Sequence, residues 1–256
     1  MTERSARLSH PYENVIGPSS PVQRAIRALE SIVSSAPFTK AGTSASRSAA
    51  SLLAVHLLHC LNGVGLLNAA GHHSAAVAMF RPIEDALDCF AAVSLDADAA
   101  DRWHSGQLKA SDAAKVWVAI LPTLFEHDEF TLAEYRRIVR SQFNDYSHCH
   151  PRLTHWNLYL PPDSPETGVA QLNVAGAVID SCGHRIDAHL TASLWEFIHI
   201  LDVSLVGIQE VAQAEREVLN GTKGEIAAIL EIHRKNGCYD VLNAPELRLF
   251  GVTQDQ

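Results

Sequence analysis

Residues 176–219 read GAVIDSCGHRIDAHLTASLWEFIHILDVSLVGIQEVAQAEREVL. Apolar side chains recur there at steps of three and four: Ile179, Cys182, Ile186, Leu190, Leu194, Phe197, Leu201, Leu205, Ile208 and Val211. That period belongs to one face of an α-helix, not to the two-residue alternation of a strand. A straight helix over the whole stretch would be about 60 Å long. A compact chain of this size has a radius of gyration of about 18 Å. A bend or break is therefore expected, most readily near Gly183, whose missing side chain weakens a helix interior.

The same helical period runs through most of the chain. Ser20-Pro21-Val22-Gln23 puts a capping serine before a proline at the first helical position, and the helix reaches about Ser35 before Pro37. Thr39–Ser48 is small and polar and reads as a loop. Helices are expected over Ala49–Ala70, His73–Leu95, Ser111–Leu124 and Leu132–Tyr146. In the second, Pro82 implies either a kink or a new start. The last carries Leu132, Tyr135, Val139, Phe143 and Tyr146 on one face. Thr131…Glu134 and Thr222…Glu225 have capping-box spacing, and Asn220-Gly221 and Asn236-Gly237 read as helix stops. Only one region alternates as β: Thr154–Leu160 and Val169–Ala175, separated by a turn-rich segment with three prolines. The expected fold is all-α, a single domain of about seven or eight helices with one small hairpin near residues 154–175 and a disordered N-terminus over about 1–18.

Composition narrows the function classes. With 20 Lys and Arg against 29 Asp and Glu, the 256-residue chain carries a formal charge of −9, which argues against a general nucleic-acid coat. The five cysteines are odd in number and form no Cys-x-x-Cys pair, so reduced thiols in the cytoplasm are expected. Met1–Pro18 has no apolar core of a signal peptide. Ala49–Gly71 is strongly apolar but holds His56, His59, Asn62 and Asn68, so it reads as a buried helix and not as a membrane span. No Gly-x-Gly-x-x-Gly, Walker-type Gly-rich loop or Gly-x-Ser-x-Gly is present, and no cofactor is implied.

Two stretches carry candidate chemistry. In the first, Arg136, Arg140, Asn144 and His148 stack at four-residue steps, with Arg137, Tyr146 and His150 beside them. Arginine matches phosphate geometry and histidine titrates near neutrality, so this face could bind a phosphodiester and move a proton. The competing reading is a solvated polar face opposite Val139 and Phe143. In the second stretch, Arg81, Glu84, Asp85 and Asp88 lie three or four apart in an apolar helix and could form a buried ion-pair set that supports the first.

The 14 histidines raise a metal site as a third possibility. No His-Glu-x-x-His occurs, and Glu196-Phe197-Ile198-His199 lacks the second such pair that a di-iron bundle needs. His56 and His59 are expected as hydrogen-bonded core residues, and no metal ligand set is assigned.

The layout Arg81-Pro82-x-Glu84, an aliphatic helix, then Tyr146-Ser147-His148 and His150-Pro151 resembles bacterial helical families similar in style to the HEPN superfamily (higher eukaryotes and prokaryotes nucleotide-binding). The resemblance covers roughly Leu52 to Val211. It implies a helical homodimer that binds RNA or cleaves it without metal, in a defence or toxin–antitoxin setting with an antitoxin or other protein partner. RNase members carry an arginine followed by a histidine after a short spacer. Seven residues separate Arg140 from His148 and three separate Arg185 from His189, and the family spacing is met only by Arg4 and His10. What carries over is His148 for proton transfer, Arg140 for the phosphate and Asn144 between them. Beside this stand a non-enzymatic helical dimerisation module and a histidine-rich metal-binding bundle.

Overall fold

The computed structural model describes residues 20–35, 45–120, 131–147, 155–159, 171–172, 176, 180–205 and 213–235. Among these, the helices are α1 (Pro21–Ser35), α2 (Ala45–Ala69), α3 (His73–Ala78), α4 (Phe80–Leu95), α5 (Ala97–His104), α6 (Ala110–Ile120), α7 (Leu132–Tyr146), α8 (Asp180–Leu205) and α9 (Gln213–Lys235). The protein is a helical bundle.

Local chemistry sets several boundaries. The Gln23 amide donates to the Ser20 hydroxyl at 3.1 Å, closing the start of α1. At α7 the Thr131 amide donates to Glu134 Oε2 (2.8 Å), and the Glu134 amide donates to Thr131 Oγ1 (3.3 Å), a reciprocal box. A single residue, Met79, separates α3 from α4. Pro82 is then the third residue of α4, where an amide N–H would have no intrahelical partner.

Helix α4 is the centre. It packs on α2, α5, α6, α7 and α8, and Phe80, Ile83, Ala86, Leu87, Phe90, Ala91, Ala92 and Val93 are all buried. Helix α2 lies against α1, α3, α4, α5 and α8 through Leu53, Ala54, Leu57, Leu58, Leu61 and Val64. It is the one described helix long and apolar enough to cross a membrane by length and composition, and its inner face belongs to the core cluster. Aromatic contacts join the layers: Phe90 meets Phe197 edge-on at 5.3 Å, and Phe80 stacks on Phe143 at 5.1 Å.

Four expectations are corrected. Helix α8 runs unbroken through Gly183, whose carbonyl accepts a hydrogen bond from Asn68 Nδ2 at 3.0 Å. Residues 206–212 of the periodic stretch lie outside the described set, and its last residues, 213–219, belong to α9. Helix α9 passes straight through Asn220-Gly221, and Thr222 is not a cap: its hydroxyl donates to the Val218 carbonyl one turn back, at 2.8 Å. Helix α2 starts at Ala45, inside the expected loop, because Ser46 Oγ anchors that first turn to the Val93 carbonyl at 2.8 Å.

The hairpin is the fourth. The described residues do not support one of the expected extent. Residues His155–Asn157 form a 3₁₀ turn, and only Leu158–Tyr159 and Gln171–Leu172 pair, antiparallel, with Leu158 opposite Leu172. Trp156 is buried edge-on to Tyr146, while Asn157 Oδ1 accepts from Ser74 of α3 at 2.7 Å. Two consecutive side chains thus engage the bundle, which the alternation of a strand forbids. The expected N-terminal disorder and the stretch 121–130 also lie outside the described residues. Helix α5 was not anticipated, although Asp96 caps it by accepting from the Asp98 amide at 3.0 Å.

Candidate functional site

Helix α4 is buried on nearly every side, yet it carries Glu84 and Asp88 toward the interior. Buried carboxylates are costly unless paired. Their partner comes from α7. The Arg136 side chain is 2% exposed. Its Nη1 lies 2.5 Å from Glu84 Oε2 and 2.8 Å from Glu196 Oε2 of α8. Its Nε and Nη2 donate to Asp88 Oδ1 at 3.1 and 2.8 Å, and Nη2 also donates to the Glu84 carbonyl at 3.3 Å.

The surrounding groups complete this shell. Trp117 Nε1 donates to the same Asp88 oxygen at 2.9 Å, and the Trp117 ring lies 5.7 Å from the Arg136 guanidinium carbon. Tyr135 OH donates to Glu196 Oε1 at 3.3 Å. One turn along α7, Arg140 is 14% exposed. Its Nη2 contacts Asp88 Oδ2, its Nε donates to that oxygen at 3.0 Å, and its Nη1 reaches Asp85 Oδ1 at 3.1 Å. Arg81 closes the outer edge, with Nε 3.2 Å from Asp85 Oδ2 and Nη1 donating to the Arg140 carbonyl at 3.3 Å.

The electrostatics follow from the count of groups. Four carboxyls (Glu84, Asp85, Asp88, Glu196) meet three guanidinium groups (Arg81, Arg136, Arg140). Burial pushes Glu84 up to about 8, opposed by Arg136 and reinforced by Glu196 and Asp88. Burial raises Glu196 as well. For Arg136, burial works against the charge, but Glu84, Asp88 and Glu196 together hold it protonated. Burial also holds the Tyr135 phenol well above its usual range.

The sequence-derived candidates separate in space. Arg81, Glu84 and Asp85 do form an ion-pair set, and its partners are Arg136 and Arg140. Arg136 faces the core, Arg140 is mostly covered, and Asn144 is exposed. Geometry explains the gradient: at 3.6 residues per turn, each four-residue step rotates about 40° around the axis, so the stripe turns from core to solvent. Arg137 is exposed. Tyr146 is fully buried, with Trp156 edge-on at 6.2 Å. His148 and His150 lie outside the described residues. Sequence reasoning placed Asp88 in the charged set of α4, gave Glu196 no role beside the arginines, and missed Trp117 and Tyr135. Asp88 did stand in register with Glu84, but no local signal links Glu196 to Arg136.

The histidines are spread over several environments. His56 and His59, expected in the core, face outward, and His56 Nε2 lies 3.6 Å from Cys60 Sγ. His73 is buried against Asn68 Oδ1 at 3.0 Å, and burial lowers it to about 4. The His199 ring lies tilted against Trp195 with centroids 3.9 Å apart, while Glu196, one turn back, turns to Arg136. A second buried pair, Asp187 and His233 at 3.3 Å, joins α8 to α9. Among the described residues no group of three or more His, Cys, Asp or Glu could hold a metal ion. Comparison with family models, curated proteins and solved structures finds no match to this chain.

Proposed function

We propose that this protein is a helical interaction module, acting through its surface, with the arginine–carboxylate cluster serving as its internal lock. The carrying observation is the enclosure of Arg136 by Glu84, Asp88 and Glu196, at 2% exposure. A guanidinium so committed offers no fork to an incoming phosphate, and Arg140 is likewise spent on Asp85 and Asp88. The reading fits a cytoplasmic protein whose partner is another protein surface. In a binding assay with a mixed RNA pool, it expects no retention of RNA and no cleavage.

A second reading rests on a different face of the same helix. Arg137, Ser141 and Asn144 are exposed on α7, which leads toward His148. In that reading the protein is HEPN-like and binds or cleaves RNA in a defence or toxin–antitoxin setting. His148 takes the 2′-hydroxyl proton, and Arg137, the exposed arginine, meets the phosphate. Incubation of the purified protein with the RNA pool and EDTA, beside His148→Ala, separates the two. Cleavage by the wild type that the variant loses supports the ribonuclease and sinks the module.

A further inference from the structure

The run from Ser48 to Phe80 contains no Asp, Glu, Lys or Arg. Within it, α2 exposes Leu52, Val55 and Leu66 at 56%, 42% and 63%, three of the five exposed large apolar side chains among the described residues. With His56, His59 and Gly63 they fall on one stripe about 100° wide, and Leu52 to Leu66 spans about 21 Å. The chain as a whole carries a formal charge of −9. A charged partner would lose hydration on this stripe and gain no ion pair.

The order of residues along the stripe names the partner. Position 59 is the midpoint of 52 and 66, of 55 and 63, and of 56 and 62. Two antiparallel copies of α2 related by a two-fold axis at His59 therefore place Leu52 opposite Leu66, and Val55 opposite Gly63. A Cβ at Gly63 would meet nothing within 4 Å, so that position is an open notch able to receive a valine. His59 faces itself. Large side chains meet at the ends, large meets small between them, and no like charges are opposed. This is the self-complementarity that an isologous interface requires.

We infer that the outer face of α2, from Leu52 to Leu66, docks antiparallel on the same face of a second copy of this chain, with the two-fold axis at His59. The inference rests on the reading of the protein as an interaction module and names its partner. A single helix stripe about 21 Å long is short for a standard interface of roughly 800 Å² per partner, so weak, concentration-dependent association is expected.

Sedimentation equilibrium of the full chain, from low to high micromolar concentration, tests this. The wild type is expected to pass from monomer to dimer. Leu52→Glu should weaken association about tenfold or more, since the substitution enters twice. Gly63→Leu should do the same by filling the notch, in a position where its own chain leaves room. The pair Leu52→Glu with Leu66→Lys should restore dimers at low salt. Those two sites are too far apart to pair within one chain, but they lie opposite each other in the antiparallel arrangement. A wild type that stays monomeric, dimers that survive both single variants, or no rescue by the double variant would each overturn the inference. Partition of a monomeric wild type onto lipid vesicles would overturn it in favour of a membrane surface. A monomer that binds no RNA sinks only this interface, whereas RNA cleavage sinks the module reading itself.

Discussion

Helices α4 and α2 invert the usual rule about where charge belongs. Helix α4 is almost wholly buried and carries Glu84 and Asp88 inward; α2 is exposed along one side and carries no charge there. The buried charges are made tolerable by Arg136 and Arg140, which arrive from α7. Among the described residues the exposed apolar stripe has no such partner. Charge in the core holds three helices in register, because Glu84 and Asp88, Arg136 and Arg140, and Glu196 belong to α4, α7 and α8. Leu52, Val55 and Leu66 on the neutral stripe are exposed instead.

The largest effect that would break this contrast comes from the core. Arg136→Met leaves three carboxyls around an apolar side chain and should cost about 3–5 kcal/mol in urea unfolding, the penalty of an orphaned buried charge set. If the loss is small, the cluster is not what binds α7 to α4.

The pH dependence of stability comes next. The folded state holds Glu84 up at about 8, above its ordinary value of 4.5. The folded protein therefore binds an extra proton between those values. The stabilisation linked to it is complete below the ordinary glutamate range and is lost as pH rises through about 8. Glu84→Gln keeps a neutral group there. Unfolding curves should show a flatter decline across that window, with the variant more stable than the wild type at its alkaline end. His73, lowered to about 4, acts in the opposite direction: its contribution is complete above 6.5 and lost as pH falls through about 4.

The smallest effect sharpens the other side. Gly63→Ala adds a methyl group into open space on a helix and should raise monomer stability by up to about 1 kcal/mol, read as a higher urea midpoint. Gly65→Ala on the inner side meets Gln23 Nε2 and must push that side chain away, so its gain should be smaller or absent.

Much of the fold was legible because its signals are local. The Thr131–Glu134 box and the apolar face of 132–146 specify α7 at both ends, and Ser20-Pro21 specifies the start of α1. What failed was decided at a distance. Gly183 looks like a break on its own turn, but its carbonyl is held by Asn68, 115 residues earlier. Asn220-Gly221 looks like a stop, yet α9 continues because Leu219, Ile226 and Ile229 on its other side are buried. The candidate site shows the same division. The acidic register of Arg81, Glu84, Asp85 and Asp88 is written in the sequence, as is the Arg136/Arg140 pair. That the two sets face each other, with Glu196 beside them, depends on helix packing across about fifty residues or more of chain.

Arg136 is bound to its carboxylates as a structural unit. A double-mutant cycle of Arg136→Met and Asp88→Asn, followed by urea unfolding, measures that coupling directly. An interaction energy of about 1–3 kcal/mol is expected, with RNA retention absent in all four proteins. Additive single effects, or an Arg136→Met protein that keeps its stability and loses an RNA-binding activity present in the wild type, would contradict it.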